Sequence, residues 1–269
     1  MLAVASGLWA QTHEVTPLTL AQGDVIHVHG SLRDRTARMN ERTIRLFPQT
    51  DGTTLGLMPV PVNDKPGTYQ LQILDDNGVA VRSATITVWD AHFPKQNIIL
   101  SKKLTELKAS PGEADAVATF RNTVSDVRYW TEPLEMPVSG CLTSPFGVRR
   151  LHNGKPTGDY HAGFDQRSPS GGPIRAITGG VVKIVRQYNL HGGTVAIDHG
   201  QGVESIYLHM SKFATTEGAV VKPGDVIGYV GSSGRSTAPH LHWSIYVNGV
   251  PVNPGLWVHV LPCAAPNKK

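Results

Sequence analysis

His240-Leu241-His242-Trp243-Ser244-Ile245-Tyr246-Val247 decides how this chain is read. From Leu241 to Val247 the run is apolar, aromatic and β-branched, and it stops at the turn pair Asn248-Gly249, as a strand does. Alternate side chains of a strand share a face, so His240 and His242 project together. Two clusters lie upstream, His161-Ala-Gly-Phe-Asp165 and Tyr207-Leu-His209-Met210. His161 and Asp165 are an even number of positions apart, and Gly163 between them lets the backbone pass close to another element. Two imidazoles and a carboxylate that converge form a three-ligand zinc set with a fourth position open to water. His209 and one member of the His240/His242 pair are then spare for proton transfer. The combination points to a hydrolase.

Other catalytic patterns are missing. No H-E-x-x-H occurs, which excludes the helical metalloprotease arrangement, and no G-x-S-x-G elbow is present. Gly231-Ser-Ser-Gly234 lacks the strand-to-helix setting that such an elbow needs. Neither a G-x-G-x-x-G nor a Walker-type loop appears, so nucleotide chemistry has no support. A second H-x-H pair, His27-Val-His29, has no carboxylate or motif beside it and is expected to bind no metal, like His13, His92, His152, His191 and His259.

Outward from the histidines the C-terminal half is dense in strands: Gly180–Val185, Thr194–Asp198, Val203–Leu208 and Val226–Val230, with a turn at Pro223-Gly224. Arg149–Tyr160 and Arg186–Gly192 are polar, lack strand periodicity, and read as loops walling a groove. Residues 93–136 read as a linker with one helix. Pro111-Gly-Glu-Ala-Asp opens it, and Val117, Phe120, Val124 and Val127 recur at spacings of three and four, giving an apolar face for a neighbouring domain. Residues 14–92 alternate short strands with Asp51-Gly52, Pro66-Gly67 and Asp76-Asn77-Gly78, the pattern of an immunoglobulin-like β-sandwich, with Tyr69, Leu71 and Ile73 on one face. The fold class is therefore mainly β: an N-terminal sandwich, a short helical linker, and a C-terminal antiparallel sheet over residues 137–263.

The C-terminal blocks also carry a family resemblance. Ser144-Pro-Phe-Gly-Val-Arg-Arg150, His161-Ala-Gly-Phe-Asp165, Asp198-His-Gly200, Tyr207-Leu-His-Met210, Lys222-Pro-Gly-Asp225, Gly228-Tyr-Val-Gly231 and Ala238-Pro-His-Leu-His-Trp243 resemble, in order, the signature blocks of the lysostaphin-type, LytM-domain zinc endopeptidases. Ala238 stands where a glycine is common, and Gly172-Pro-Ile replaces a threonine-containing stretch; neither change removes a ligand. The resemblance implies one Zn2+ per chain on His161, Asp165 and His242, with His209 and His240 as the catalytic pair. It also implies an antiparallel groove that takes peptidoglycan peptide stems and hydrolyses their cross-links, with zinc-activated water as nucleophile and the two spare histidines moving protons or holding the oxyanion. The rival from another class is a non-catalytic LytM-like scaffold that binds wall or activates an amidase; a latent enzyme whose N-terminal domain covers the groove is a third reading.

Cys141 and Cys263 flank this region; they are either bonded or two buried thiols, and the extracytoplasmic substrate implied by the resemblance favours the bond. The net charge of +4 suits an anionic partner, but no basic run or aromatic-basic signature points to nucleic acid. Met1–Ala10 is apolar, too short to span a bilayer, and lacks a basic n-region, so it matches at most the remnant of an export signal. The expectation is a monomer acting in the periplasm or outside the cell, without stable membrane insertion.

Overall fold

The computed structural model of the chain describes residues 14–263; Met1–Ala10 and His13 fall outside them. The chain divides into two compact units. One comprises residues 14–20, Val25–Met58 and Lys65–Trp89; the other comprises Ala21–Asp24, Pro59–Asp64 and residues 90–263.

The first unit holds two sheets. Glu14–Thr16, Val25–Ser31, Thr53–Pro59 and Phe47–Pro48 form one, in that order; Thr19–Ala21, Ala80–Trp89, Gly67–Asp75, Asp34–Met39 and Arg42–Arg45 form the other. Period-two burial along Gly67–Asp75 places Leu71 and Ile73 in the core, with Tyr69 half-buried on the same face. The Asp76-Asn77-Gly78 turn that ends this strand is closed by Asp75, whose Oδ1 accepts from the backbone N–H of Asn77 and Val79.

The second unit is organised around one sheet. Its strands run in the order Leu142–Ser144, Phe164–Arg167, His240–Val247, Val203–Met210, Gly193–Gly200, Gly180–Gln187 and Val220–Val221, with Val250–Val252 paired to His240–Val247. Every residue of Gly193–Gly200 and Val203–Met210 is buried, so these central strands are covered on both faces. A smaller sheet joins Pro173–Arg175, Val226–Tyr229 and Lys212–Phe213. The pair Cys141–Cys263 is a disulfide. It closes a separation of 122 residues, and Cys263 N–H donates to Leu142 O while Leu142 N–H donates to Leu261 O. Closing a loop of that length contributes about 4 to 5 kcal/mol in the chain-entropy view.

Two elements differ from the sequence expectation. Arg149–Tyr160 is a hairpin, with Arg149–His152 antiparallel to Lys155–Tyr160 and Lys95–Ile98 added in parallel. Its turn is Asn153-Gly154, both residues at positive φ (52° and 80°), which is the pair a tight hairpin favours. Polar strand residues had hidden it, because the strands form a small separate sheet. The linker helix spans Glu113–Arg121, so Val124 and Val127 are not on it and are exposed. It ends where Asn122 Nδ2 donates back to Ala118 O, just before the β-branched Thr123 and Val124. The chain beyond is drawn onto the turn after Gly193–Gly200: Gln201 N–H donates to Ser125 O and Tyr129 N–H to His199 O. A further short helix, Lys102–Thr105, precedes it. Val117 and Phe120 share a buried cluster with Ile184, Tyr188, Ala196, Ile206, Leu208 and Tyr246. Burying each such side chain contributes about 1.5 to 3 kcal/mol, so the helix is fastened to one face of the central sheet. Among the described residues no helix is long and apolar enough to cross a membrane.

Candidate metal centre

Strand register brings the first two residues together. Phe164–Arg167 runs antiparallel to His240–Val247 with Asp165 opposite His242 and Arg167 opposite His240. On its other side His242 lies opposite Leu208, one residue before His209. His161 reaches the same point from the segment before Phe164, which crosses the sheet at Gly163. A Cβ at Gly163 would sit 2.1 Å from Trp243 O, so only glycine permits this approach. The sequence argument for Gly163 holds for that reason.

His161 Nε2 lies 3.0 Å from Asp165 Oδ1 and 3.0 Å from His242 Nδ1, and His242 Nδ1 lies 2.8 Å from the same oxygen. The outer partners are compatible with protons on the outward-facing nitrogens. His161 Nδ1 donates to Pro145 O at 2.8 Å, and His242 Nε2 meets the Ser244 hydroxyl at 3.1 Å. With those positions protonated, His161 Nε2, His242 Nδ1 and Asp165 Oδ1 are three lone-pair acceptors facing one another. Three acceptors at hydrogen-bond separation repel unless a cation lies among them, and a two-imidazole, one-carboxylate set is what zinc takes at catalytic sites. The residues therefore fit a metal, and among the described residues His161, Asp165 and His242 are the one such His/Cys/Asp/Glu group. His27 and His29 form no such group.

Charge within the site is set by burial and by these contacts. Burial opposes the ionisation of Asp165, but the proximity of His161 and then of His242 outweighs it and holds the carboxyl well below the usual range. Burial pushes the His242 imidazole down to about 4, against the opposing pull of Asp165. Both groups are thus in the form that metal binding requires. Arg150 Nη2 donates to the outer oxygen, Asp165 Oδ2, at 2.8 Å and fixes the carboxylate plane. Sequence reading missed this contact, although Arg150 closes one of the quoted blocks.

The two remaining histidines stand beside the triad. His209 and His240 have ring centroids 4.9 Å apart, and the His209 ring is 6.3 Å from that of His242. His209 Nδ1 donates to Ser233 O at 2.9 Å and His240 Nδ1 to Ala238 O at 2.7 Å, which turns each Nε2 away from the backbone; His240 Nε2 stands 3.8 Å from Asp165 Oδ1. His209 adopts φ 63°, a left-handed conformation costly for a residue with a Cβ and characteristic of functional sites. Burial and then the neighbouring imidazoles of His240 and His242 push its pKa down to about 3. The structure thus places His161, Asp165, His242, His209 and His240 together. The loop Arg186–Gly192 lies beside them: Glu113, buried at the start of the linker helix, accepts from the backbone N–H of Leu190 and His191, and His191 O in turn accepts from His209 N–H. From the sequence, Glu113 reads only as an acidic helix-terminal residue.

Residues 159–254 match the family model of Peptidase family M23. All five residues of the site fall inside the matched segment. The M23 region is 46% identical over 113 residues to the DD-carboxypeptidase/endopeptidase Mpg of Neisseria meningitidis, covering 42% of this chain and 26% of the relative. It is 39% identical over 112 residues to the peptidoglycan DD-endopeptidase ShyA of Vibrio cholerae, with the same two coverages. The matched region spans about a quarter of the length of these curated relatives. Among solved structures, a Pseudomonas aeruginosa chain described as a peptidase M23 candidate matches with a TM-score of 0.67 at 27% identity, covering 88% of this chain and 93% of that one.

Proposed function

We propose that this chain is a zinc endopeptidase of the M23 type that hydrolyses peptide cross-links of bacterial peptidoglycan. The observation that carries the reading is the set of three inward-facing acceptors, His161 Nε2, Asp165 Oδ1 and His242 Nδ1, with two further imidazoles beside it. These three residues would hold one zinc ion, which supplies Lewis acidity that acidifies water and polarises the scissile carbonyl. Asp165 contributes the single compensating charge, and Arg150 keeps its free oxygen turned away from the imidazoles. His209, uncharged at neutral pH, accepts a proton at Nε2; Ser233 O then steadies the resulting cation through Nδ1–H. His240, held by Ala238 O, presents a second N–H or lone pair to the same space and is the partner that returns a proton to the departing amine or hydrogen-bonds the oxyanion.

The substrate class is supported by the names of the Neisseria and Vibrio relatives. A site outside the cytoplasm is supported by the Cys141–Cys263 disulfide, a bond that persists in oxidising compartments. The N-terminal unit is proposed as an Ig-like domain acting as spacer, wall-binding module or cover, in a monomeric enzyme. The complete ligand set weighs against a purely scaffolding role.

Release of soluble fragments from purified sacculi should stop on chelation and return with zinc. His209→Ala should retain metal while turnover falls about 10²- to 10⁴-fold, the usual worth of a positioned proton-transfer group. Undiminished turnover in that variant would remove His209 from the mechanism.

A further inference from the structure

The walls of the site carry positive charge that the chemistry above does not use. Two grooves meet at the metal centre and share Arg150, His152, His209, Arg235 and His242. Arg150 is committed to Asp165, and Arg121, farther along the first groove, lies over the Tyr246 ring with its Cζ 5.5 Å from the centroid. Arg235 is different. It is exposed, and its guanidinium makes no ion pair or hydrogen bond with any described residue. His152 registers the local field: burial first, then the charges of Arg235 and Arg150, lower its pKa. The acid facing them in the first groove, Asp159, is itself solvent-exposed and accepts no hydrogen bond from any described residue.

Backbone contacts fix where Arg235 stands. Its N–H donates to Leu190 O, tying it to the opposite loop, and it lies between Ser233 and Ala238, whose carbonyls hold His209 and His240. His240 is the imidazole assigned above to returning a proton to the departing amine, and Arg235 lines the second groove together with it. Arg235 therefore flanks the amine side of the scissile bond. We propose that Arg235 recognises a free carboxylate on the residue that supplies the amine of the cross-link. The proposal rests on the peptidase reading and narrows it. A diamino diacid such as diaminopimelate keeps an α-carboxylate next to the amine it donates, whereas the internal residues of an oligoglycine bridge offer only uncharged amides. A planar guanidinium matches a carboxylate through paired charge-assisted hydrogen bonds.

Two synthetic cross-linked peptides test this, identical except that the amine-donating diaminopimelate bears either its free α-carboxylate or the carboxamide. The zinc-loaded full chain should cleave the acid with kcat/KM roughly tenfold or more above that of the amide, the worth of a charge-assisted pair in a partly enclosed site. Arg235→Gln should bring that ratio close to unity by lowering the rate on the acid, Arg235→Lys should keep part of it, and Arg235→Glu should invert it. Equal rates on both peptides in the unaltered protein, or an equal loss on both in Arg235→Gln, would overturn the assignment. So would cleavage of sacculi with neither dimer touched. Sacculi left intact by the zinc-loaded protein would instead overturn the peptidase reading itself, which separates the two failures.

Discussion

His27 and His29 stand on Val25–Ser31 much as His240 and His242 stand on His240–Val247: two imidazoles, one apart, on one face of a strand. What lies across from them differs. His27 and His29 are opposite Thr16 and Glu14 on an outermost strand of their sheet, and Glu14 is exposed. Both pairs stand on inner strands of their sheets, but His242 lies between Asp165 on one neighbouring strand and Leu208 on the other, with His161 arriving over Gly163. A shared face is thus a local property of strands, whereas a metal site needs a second imidazole and a carboxylate delivered by other elements, and enough depth to keep water from satisfying them.

The sharpest way to break this comparison is to take away the carboxylate. Asp165→Asn keeps the shape but should lower zinc affinity by more than the about 10- to 100-fold typical of losing a supporting residue, read by competition with a chelator of known affinity. Retention of one zinc per chain would sink the account of the triad.

The depth of the central sheet beside the site is measured by Glu204. This residue lies in the fully buried strand Val203–Met210, opposite Asp198 and Tyr246, and neither of its carboxyl oxygens meets a partner. Burial, then the nearby Asp198, pushes its pKa up to about 9. A carboxyl with a raised folded-state pKa takes up a proton on folding. Its contribution is intact below the unfolded value of about 4.3 and is lost as pH rises toward 9. Glu204→Gln should therefore flatten the decline, gaining on the order of 3 kcal/mol at pH 8 and little at pH 5, measured by urea unfolding at both values. Parallel pH profiles for the two proteins would show that water reaches Glu204.

Arg150 sharpens the comparison at a finer level, since it steadies the carboxylate that lies opposite His242. Arg150→Gln should weaken zinc binding about 10- to 100-fold while leaving its stoichiometry at one. Unchanged affinity would make the Arg150–Asp165 contact incidental. The smallest effect is expected from the other pair: replacing both His27 and His29 by Ala should leave zinc content and turnover as they were, and a loss of zinc would overturn the distinction drawn between the two strands.

Much of this site is legible in the sequence because its determinants are local. Period-two geometry puts His240 and His242 on one face, an even spacing and a glycine allow His161 and Asp165 to converge, and the family blocks say which of the spare histidines join them. The hairpin Arg149–Tyr160 was less visible, since its polar strands show no apolar alternation and only Asn153-Gly154 marks the turn. Val124 and Val127 fit a helical period that Asn122 ends and that hydrogen bonds to residues 199–201 replace with an extended path.

The residue types and their spacing alone determined a mainly β chain with a zinc-type ligand set and two spare imidazoles, because strand periodicity and ligand chemistry act over a few neighbouring positions. Tertiary structure alone decided which carbonyls fix the histidine tautomers, that Arg150 clamps Asp165, that Glu204 is stranded without a partner, and that Arg235 is left unpaired beside the site. Each of those depends on elements dozens of residues apart being packed closely enough to exchange a hydrogen bond or to exclude water.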